Sequence, residues 1–198
     1  MIKTNGQVAG EPDKDIEMDA ELEPGFKMTE LGPLPEDWQI VKLGDIADIK
    51  YGKAKPKYSG NIPVVGSGGI YSRTSEALVN FPSIIIGRKG KAGFAWLMKE
   101  PFWPSDTTFY LEWKKKVDIR YIFYYMRYNP LSGEHAKTTL PSLQKSDLEK
   151  YSIPLPSLDE QQEIVHALKA VQRGIEETGK VVDAARELKK SLMRHLFT

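Results

Sequence analysis

The chain has 198 residues, 40% of them hydrophobic, which suffices for one domain with a substantial core. It carries 28 Lys and Arg residues against 27 Asp and Glu residues, for a net charge of +1, and it has no cysteine, which excludes disulfides and thiolate metal sites. It has no run of about 18 apolar residues, so no membrane span is expected, and its N-terminus lacks the apolar run of a signal peptide. These features predict a cytoplasmic protein.

The charges are unevenly distributed along the chain. Residues 1–30 hold three Lys and eight Asp or Glu residues, for a net charge of −5. Residues 31–198 hold 25 basic and 19 acidic residues, for a net charge of +6. This pattern predicts an acidic, loosely docked N-terminal segment followed by a mildly basic body. A basic body is compatible with nucleic-acid binding but does not require it.

The middle of the chain is a series of short strands with few helices. Two prolines make residues 31–35 an extended entry. Residues 43–49 fit either a short helix or a strand extension, and helices are predicted at 118–128 and, as a single turn, at 146–150. Because strands cluster instead of alternating with helices, an α+β fold with a mainly antiparallel or mixed sheet is expected. The predicted strands are 38–43, 62–65, 83–86, 94–98, 107–113 and 151–155.

A glycine-rich basic segment at residues 87–93 follows the apolar strand at 83–86. Its glycines allow a backbone to approach a ligand closely, and the cations between them suit phosphate. It lacks the Gly-Lys-Ser/Thr ending of a Walker A loop, whereas residues 85–90 match a KH-type GXXG clamp. A plain basic hairpin turn explains the same residues. Residues 66–69, Gly-Ser-Gly-Gly, are predicted to form a turn.

The sequence contains no specific pattern of an active site. Asp37, Asp48 and Lys50 have the residue types of a metal-dependent nuclease centre. Such a set occurs by chance in many chains, and no Ser/His/Asp arrangement is evident. We therefore predict no catalytic residue and no metal ligand, with a small autonomous nuclease as the alternative.

The C-terminal segment is free of proline from Ser157 to Phe197. Ser157 followed by Glu160 has the pattern of a capping box, in which each side chain bonds a free backbone N–H. The 41 residues from 157 to 197 would form a helix roughly 60 Å long. That length exceeds what a compact domain of this size needs, so the helix, here called the rod, is predicted to be a spacer or a partner-binding arm.

Apolar residues repeat along the rod at alternating steps of four and three residues. This spacing is a heptad pattern and predicts a coiled-coil seam. After Ala185 the step to Leu188 breaks the alternation, which should disturb the supercoil. The residues predicted to form this partner-binding seam are Ile164, Leu168, Val171, Ile175, Thr178, Val182, Ala185, Leu188 and Leu192, with Leu196 continuing it.

The order of several short segments resembles the DNA-specificity (S) subunits of type I restriction–modification enzymes. The resemblance covers about residues 26–198, and the ordered set is more specific than any one piece. The segments are LPEDW (34–38), LGDI (43–46), PVVGSGGI (63–70), IIIGRKG (84–90), PFWPSDT (101–107), IPLP (153–156) and EQQEI (160–164).

The charge pattern sets off the acidic segment (1–30), and the resemblance implies that a target-recognition domain (31–155) and a conserved long helix (156–198) follow it. It implies a non-catalytic subunit that binds double-stranded DNA and docks modification (methyltransferase) subunits. S-adenosylmethionine would then belong to those subunits, and this chain would need no cofactor. Whether a restriction subunit joins is left open.

The chain contains one recognition domain and one rod, whereas a usual S subunit has two of each. A single heptad rod exposes an apolar seam that must be covered. We therefore predict a homodimer with an antiparallel coiled coil, which would read two inverted copies of one short word. The alternatives are a rod folded back on its own domain and a coiled-coil adaptor that binds protein.

The resemblance places DNA contacts on the loops of the recognition domain. Arginines favour guanine edges, while lysines more often contact phosphate. The residues predicted to contact DNA are Lys53, Lys55, Lys57, Ser67, Tyr71, Arg73, Arg88, Lys89, Lys91, Lys137, Thr138 and Thr139.

Overall fold

The computed structural model describes residues 22–131 and 142–197. The chain divides into two compact units, residues 1–36 and 37–198. In the first unit, β1 (Phe26–Thr29) and β2 (Gly32–Pro35) form an antiparallel hairpin. Strand β2 matches the predicted extended entry. Strand β1 was not predicted, because its short alternation lies at the end of a segment dominated by acidic residues.

The second unit is built on a four-stranded antiparallel sheet. Its strands lie in the order β4, β10, β7, β8. The short helix α1 (Leu43–Ile46) runs directly into β4, so both interpretations of residues 43–49 hold in part. The strands are β4 (Ala47–Tyr51), β7 (Ser83–Gly87), β8 (Ala95–Met98) and β10 (Thr108–Trp113).

Two smaller sheets complete this unit. In the first, β6 (Gly69–Thr74) pairs antiparallel with β5 (Ile62–Gly66), which pairs parallel with β9 (Trp103–Pro104). In the second, β3 (Gln39–Lys42) pairs antiparallel with β11 (Ser152–Leu155). The mixture of antiparallel and parallel pairs confirms the predicted α+β class.

Strand β7 is buried along its whole length because it is covered on both faces. Successive side chains of a strand point to opposite faces of the sheet. Ile84 and Ile86 accordingly belong to the larger core, which also contains Ile122 of helix α2 (Ile119–Tyr128). Ile85 belongs to a smaller core on the other face. Two-sided burial therefore explains the continuous apolar run.

A short helix, α3 (Lys145–Glu149), forms at the predicted helical turn. The rod is helix α4 (Leu158–Phe197), which begins and ends within one residue of the predicted bounds. The hydroxyl of Ser157 accepts from Glu160 N at 3.3 Å, as in a capping box. The Glu160 carboxylate, however, accepts from the indole Nε1 of Trp38 at 3.0 Å and so ties the first turn to the domain. Within the described residues, no helix is both long and apolar enough to cross a membrane.

A buried glutamine joins the rod to the domain. Gln161 is 2% exposed; its Oε1 accepts from Asp118 N at 2.9 Å, and its Nε2 donates to Pro156 O at 2.9 Å. Asp118 caps α2, and its side chain bonds Arg120, which holds the pKa of this carboxyl below its usual value. The first turn of α4 is therefore locked to the start of α2 through backbone groups.

Replacing Gln161 with Ala should destabilise the fold, because the N–H of Asp118 and the carbonyl of Pro156 would be buried without partners. The expected loss is about 1–3 kcal/mol of unfolding free energy. Urea unfolding measures it, with the exposed neighbour Gln162→Ala as control, for which a change within about 0.5 kcal/mol is expected. Equal losses of unfolding free energy for the two substitutions would contradict the role of Gln161 in joining the rod to the domain.

Candidate nucleic-acid interface

A turn at residues 104–107 connects two of the predicted contact loops. Lys53 N donates to Pro104 O at 3.0 Å, and Arg88 N donates to Thr107 O at 2.9 Å. One of these loops follows β4 and the other follows β7. Backbone bonds therefore hold both loops at the same place, although their residues are about 35 positions apart in the sequence.

The same turn is anchored to the end of β5. Ser105 N donates to Val65 O at 2.9 Å, and the hydroxyls of Ser105 and Thr107 are 2.7 Å apart. Strand β5 leads into the predicted turn, where Ser67 and Gly68 connect β5 to β6. Three segments that carry predicted DNA contacts thus meet at one short turn.

Two glycines allow this close approach. A Cβ atom on Gly52 would lie 2.0 Å from Ser105 O, and one on Gly87 would lie 2.1 Å from Lys91 O and 3.2 Å from Ser67 Cβ. Any side chain at either position would collide with backbone. The glycine-rich segment 87–93 is therefore folded tightly on itself and packed against the β5–β6 turn.

The geometry favours a basic turn over a KH-type clamp for this segment. A GXXG clamp lies between two helices, whereas residues 87–93 connect β7 to β8. The indole Nε1 of Trp96, on β8, donates to Ser67 O at 3.4 Å. Residues 87–93 form a basic hairpin connection that is braced by its neighbours.

Arg88 is held in a fixed orientation. Its Nη2 donates to Asp106 O at 2.7 Å, and its guanidinium lies over the ring of Tyr51, 5.6 Å from the centroid. Its Nε is buried and, among the described residues, has no hydrogen-bond partner. An arginine held by a carbonyl and an aromatic ring keeps its full charge and loses little entropy on binding a ligand.

Strand β6 carries two of the predicted contacts, Tyr71 and Arg73, and a third, Ser67, lies in the turn before it. The pairing shifts between Val64 and Val65, so that Tyr71 has no opposite residue on β5. Such a bulge turns side chains outward. Ile70 and Tyr71 are each 59% exposed as a result.

Hydrogen bonds also connect β6 to the surrounding loops. Lys55 Nζ donates to Ser72 Oγ at 2.6 Å, which joins the loop after β4 to this strand. Arg73 Nη1 donates to Asn61 O at 2.6 Å. Both acceptors are neutral, so neither bond pairs the cation with a negative charge.

The surface formed by these loops is strongly basic. Residues 51–93 contain seven cations and a single acid, Glu76. Among the described residues, none of the seven forms an ion pair with a carboxylate. The positive charge is therefore not neutralised internally. The seven cations are Lys53, Lys55, Lys57, Arg73, Arg88, Lys89 and Lys91.

The remaining predicted contacts are three lysines on these loops and three residues further along the chain. Lys57 and Lys89 are exposed, and Lys91 Nζ lies 5.8 Å from the ring centroid of Phe94. Lys137, Thr138 and Thr139 lie outside the described residues.

Two of the three residues of the alternative nuclease centre, Asp48 and Lys50, are engaged in a cross-strand ion-pair ladder. Asp48 lies 3.7 Å from Lys50 Nζ and 3.5 Å from Lys114 Nζ, and Lys50 also lies 3.5 Å from Glu112. Two carboxylates and two ammonium groups thus neutralise each other on β4 and around the end of β10. In the two described ranges, no group of three or more His, Asp or Glu side chains is arranged to hold a metal ion.

Sequence reasoning missed the residues that hold the loops together. Ser105, Asp106 and Thr107 had no assigned role, and neither did Tyr51, which stacks on Arg88. The Pro-Ser-Asp-Thr composition of residues 104–107 is typical of a turn between strands. That signal predicts a turn but not what the turn contacts.

The predicted seam of the rod is exposed beyond its first turns. Ile164 is half-buried against the domain core, and Leu168 is 42% exposed. Val171, Ile175 and Leu188 are 62%, 61% and 62% exposed. Thr178, Val182, Ala185 and Leu192 are exposed too. The rod thus does not fold back on its own domain.

Gly87 lies where the loop leaves no room for a side chain. Gly87→Ala should destabilise the fold by more than about 2 kcal/mol, because its Cβ would overlap the Lys91 carbonyl. Gly68→Ala is the matched control, since a Cβ there meets nothing within 4 Å. Thermal unfolding compares the two variants. A Gly87→Ala protein as stable as the control would refute the close approach.

The comparisons with known proteins agree with the resemblance found in the sequence. The family model for the type I restriction modification DNA specificity domain matches residues 35–182. The type I restriction enzyme MjaVIII specificity subunit of Methanocaldococcus jannaschii is 31% identical over 87% of this chain and 48% of its own length. The putative MjaX specificity subunit of the same organism is 30% identical over 87% of this chain and 45% of its own length.

A solved structure gives the same fold. The type I restriction–modification S subunit from M. genitalium aligns with a TM-score of 0.61 at 18% identity, covering 87% of this chain and 46% of that one. At this identity the likeness concerns the fold alone. The chain spans about half the length of the curated relatives it matches.

Proposed function

The chain belongs to the type I restriction–modification DNA specificity family, and from that membership we propose that it reads DNA sequence for a methyltransferase complex without catalysing a reaction itself. The observation that carries the proposal is the set of seven cations on β6 and on the loops around the turn at residues 104–107, none of which pairs with a carboxylate in the described part of the chain. DNA phosphates are the natural counterions for such a surface. The protein would act in the cytoplasm, where the chromosome of a bacterium or archaeon lies.

The cations divide into two kinds by how they are held. Arg73 and Arg88 are each anchored by a backbone carbonyl, which leaves other N–H groups of the guanidinium available for a guanine edge. Lys57 and Lys89 are exposed without such anchors and suit phosphate. We assign base reading to the two arginines, with Ser67 and Tyr71 beside them, and backbone binding to Lys53, Lys55, Lys57, Lys89 and Lys91. Lys137, Thr138 and Thr139 remain proposed contacts on the strength of the resemblance.

We propose further that two copies associate through their rods. An exposed apolar seam of this length is typical of a surface that packs against a partner. Gly174 and Gly179 each weaken an isolated helix by about 1 kcal/mol relative to alanine. Neither glycine has any described atom within 4 Å of its Cβ position, so the fold of one chain gives no reason for them. A second helix packed close to the first would stabilise both.

The charges of the rod favour an antiparallel pair. Residues 158–179 hold five acids and two bases, for a net charge of −3. Residues 180–197 hold five bases and two acids, for a net charge of +3. Antiparallel packing places each half against its opposite, whereas parallel packing opposes like charges. This arrangement carries the two recognition domains to opposite ends of a helix pair roughly 60 Å long.

Two identical domains related by a two-fold axis would read two inverted copies of one word, separated by a gap that the rods fix. The exposed outer faces of the rods would then dock the modification subunits, which supply S-adenosylmethionine and the methyl-transfer chemistry. The division into segments 1–30, 31–155 and 156–198 is part of this proposal.

Lys89→Ala should weaken binding to all DNA sequences alike, because a phosphate contact carries no sequence information. The slope of log K against log salt should fall by about 1. Fluorescence anisotropy between low and moderate salt measures both effects. Lys180→Ala, on the exposed rod, should leave the slope unchanged. A loss confined to one DNA sequence would contradict the assignment of Lys89 to phosphate.

Ile175→Glu should dissociate the dimer, because a two-fold pair would bury the carboxylate twice. The expected weakening is at least about 100-fold, since each 1.4 kcal/mol is tenfold and a buried charge costs more than that. Light scattering after size exclusion gives the mass. Ala170→Glu adds the same charge away from the seam and should remain dimeric. A parent chain that is monomeric at high concentration would overturn the dimer.

A further inference from the structure

One carboxylate lies in the middle of the basic surface. Asp106 is exposed and belongs to the turn at residues 104–107, where the loops that carry Lys53 and Arg88 meet. Within residues 22–131 and 142–197, its side chain forms no hydrogen bond and no ion pair. DNA phosphates repel a carboxylate, so an acid at this place weakens DNA binding unless it accepts a hydrogen bond from a base.

The turn itself does not depend on this carboxylate. Aspartate is common in turns because its side chain can accept from a backbone N–H two residues further on. Here the preceding residue has that role, since Ser105 Oγ accepts from Thr107 N at 3.3 Å. Thr108 N and Oγ1 both donate to Ser105 O, at 3.0 and 2.7 Å. The neighbours of Asp106 therefore already supply the bonds that usually explain an aspartate in a turn.

The backbone of Asp106, by contrast, positions Arg88. Arg88 Nη2 donates to Asp106 O at 2.7 Å, and Arg88 N donates to Thr107 O at 2.9 Å. The guanidinium is thus held by the carbonyl of Asp106 and not by its carboxylate. Because Nε of Arg88 is buried, Nη1 and the second N–H of Nη2 are the donors left for a ligand. Two donors and one acceptor therefore belong to one rigid turn and the arginine bound to it.

This set of groups matches the major-groove edge of one base pair. Guanine presents two adjacent acceptors, N7 and O6, and the paired cytosine presents its N4 amino donor next to O6. A Watson–Crick hydrogen bond joins O6 to N4, so the two atoms are about 2.9 Å apart. An A·T pair instead presents the adenine amino group between two acceptors. Two adjacent donors followed by an acceptor therefore fit G·C better than A·T.

We propose that Arg88 and Asp106 read one G·C base pair together. The arginine donates to the guanine, and the Asp106 carboxylate accepts from the N4 amino group of the paired cytosine. This inference rests on the proposed DNA-reading function and adds to it a specificity residue and a base pair. Opposite thymine or guanine the carboxylate would face an acceptor, so Asp106 raises discrimination although it lowers overall affinity.

Binding measurements on a site obtained by selection from random sequence test this assignment. Each base pair of the site is replaced in turn, and fluorescence anisotropy gives the loss of affinity. For the parent chain we expect a G·C pair whose replacement weakens binding about tenfold or more. Asp106→Ala should reduce that ratio to about threefold or less. Arg88→Lys, which keeps the charge but loses the paired donors, should relax the same base pair.

Glu76→Ala is the matched control for Asp106→Ala. Glu76 is exposed and is the single acid within residues 51–93, so both substitutions remove one negative charge from the same basic region. A general effect of charge on DNA affinity would appear in both variants, whereas only Asp106→Ala should lose discrimination. Both side chains are exposed, so both variants should fold, which thermal unfolding checks.

Three results would overturn the shared reading of G·C while DNA reading stands. Asp106→Ala could keep the parent's discrimination at every base pair, or it could relax a pair that Arg88→Lys leaves unchanged. Glu76→Ala could relax the same pair as strongly, which would make the effect one of charge alone. A parent chain that binds DNA without any sequence preference, or binds no DNA, would overturn the proposed function itself.

Discussion

The apolar seam of the rod is the constraint on which this account depends. From Val171 to Phe197 every residue of the rod is exposed, including its hydrophobic side chains. A single helix of this kind, weakened by Gly174 and Gly179, is marginal in water. The described residues of the chain leave this apolar surface uncovered. The two halves of the rod carry opposite net charges, which would complement an antiparallel second rod, and the proposed pairing rests on this complementarity.

The domain that precedes the rod holds its basic loops in place without neutralising their charges. Backbone bonds from the turn at residues 104–107 fix the loops that carry Lys53 and Arg88. The arginine side chains are oriented by carbonyl groups instead of carboxylates. Elsewhere the domain does neutralise its charges, as in the ladder of Asp48 with Lys50. The contrast explains how one mildly basic body contains one strongly basic surface.

The sequence predicted what local patterns determine. Strand β7 followed from its unbroken apolar run, and helices α2 and α4 were correct within a residue or two because their periodic faces extend over several turns. The hairpin strand β1 was missed because acidic neighbours obscure its alternation. Glu160 was expected to complete a capping box, but a tertiary bond from Trp38 engages its carboxylate. The order of short segments identified the family, and the family model confirms it. The meeting of the three contact segments at residues 104–107, by contrast, is a long-range contact with no local signature in the sequence.

The central claim is that two identical chains, paired antiparallel through their rods, read one DNA duplex together. Analytical ultracentrifugation of the chain with a DNA site chosen by selection from random sequence measures this most directly. The account predicts that the selected site consists of two inverted copies of one word and that two chains bind each duplex, with affinity lost when either copy is scrambled. One chain bound per duplex at full affinity, on a site without inverted symmetry, would contradict it.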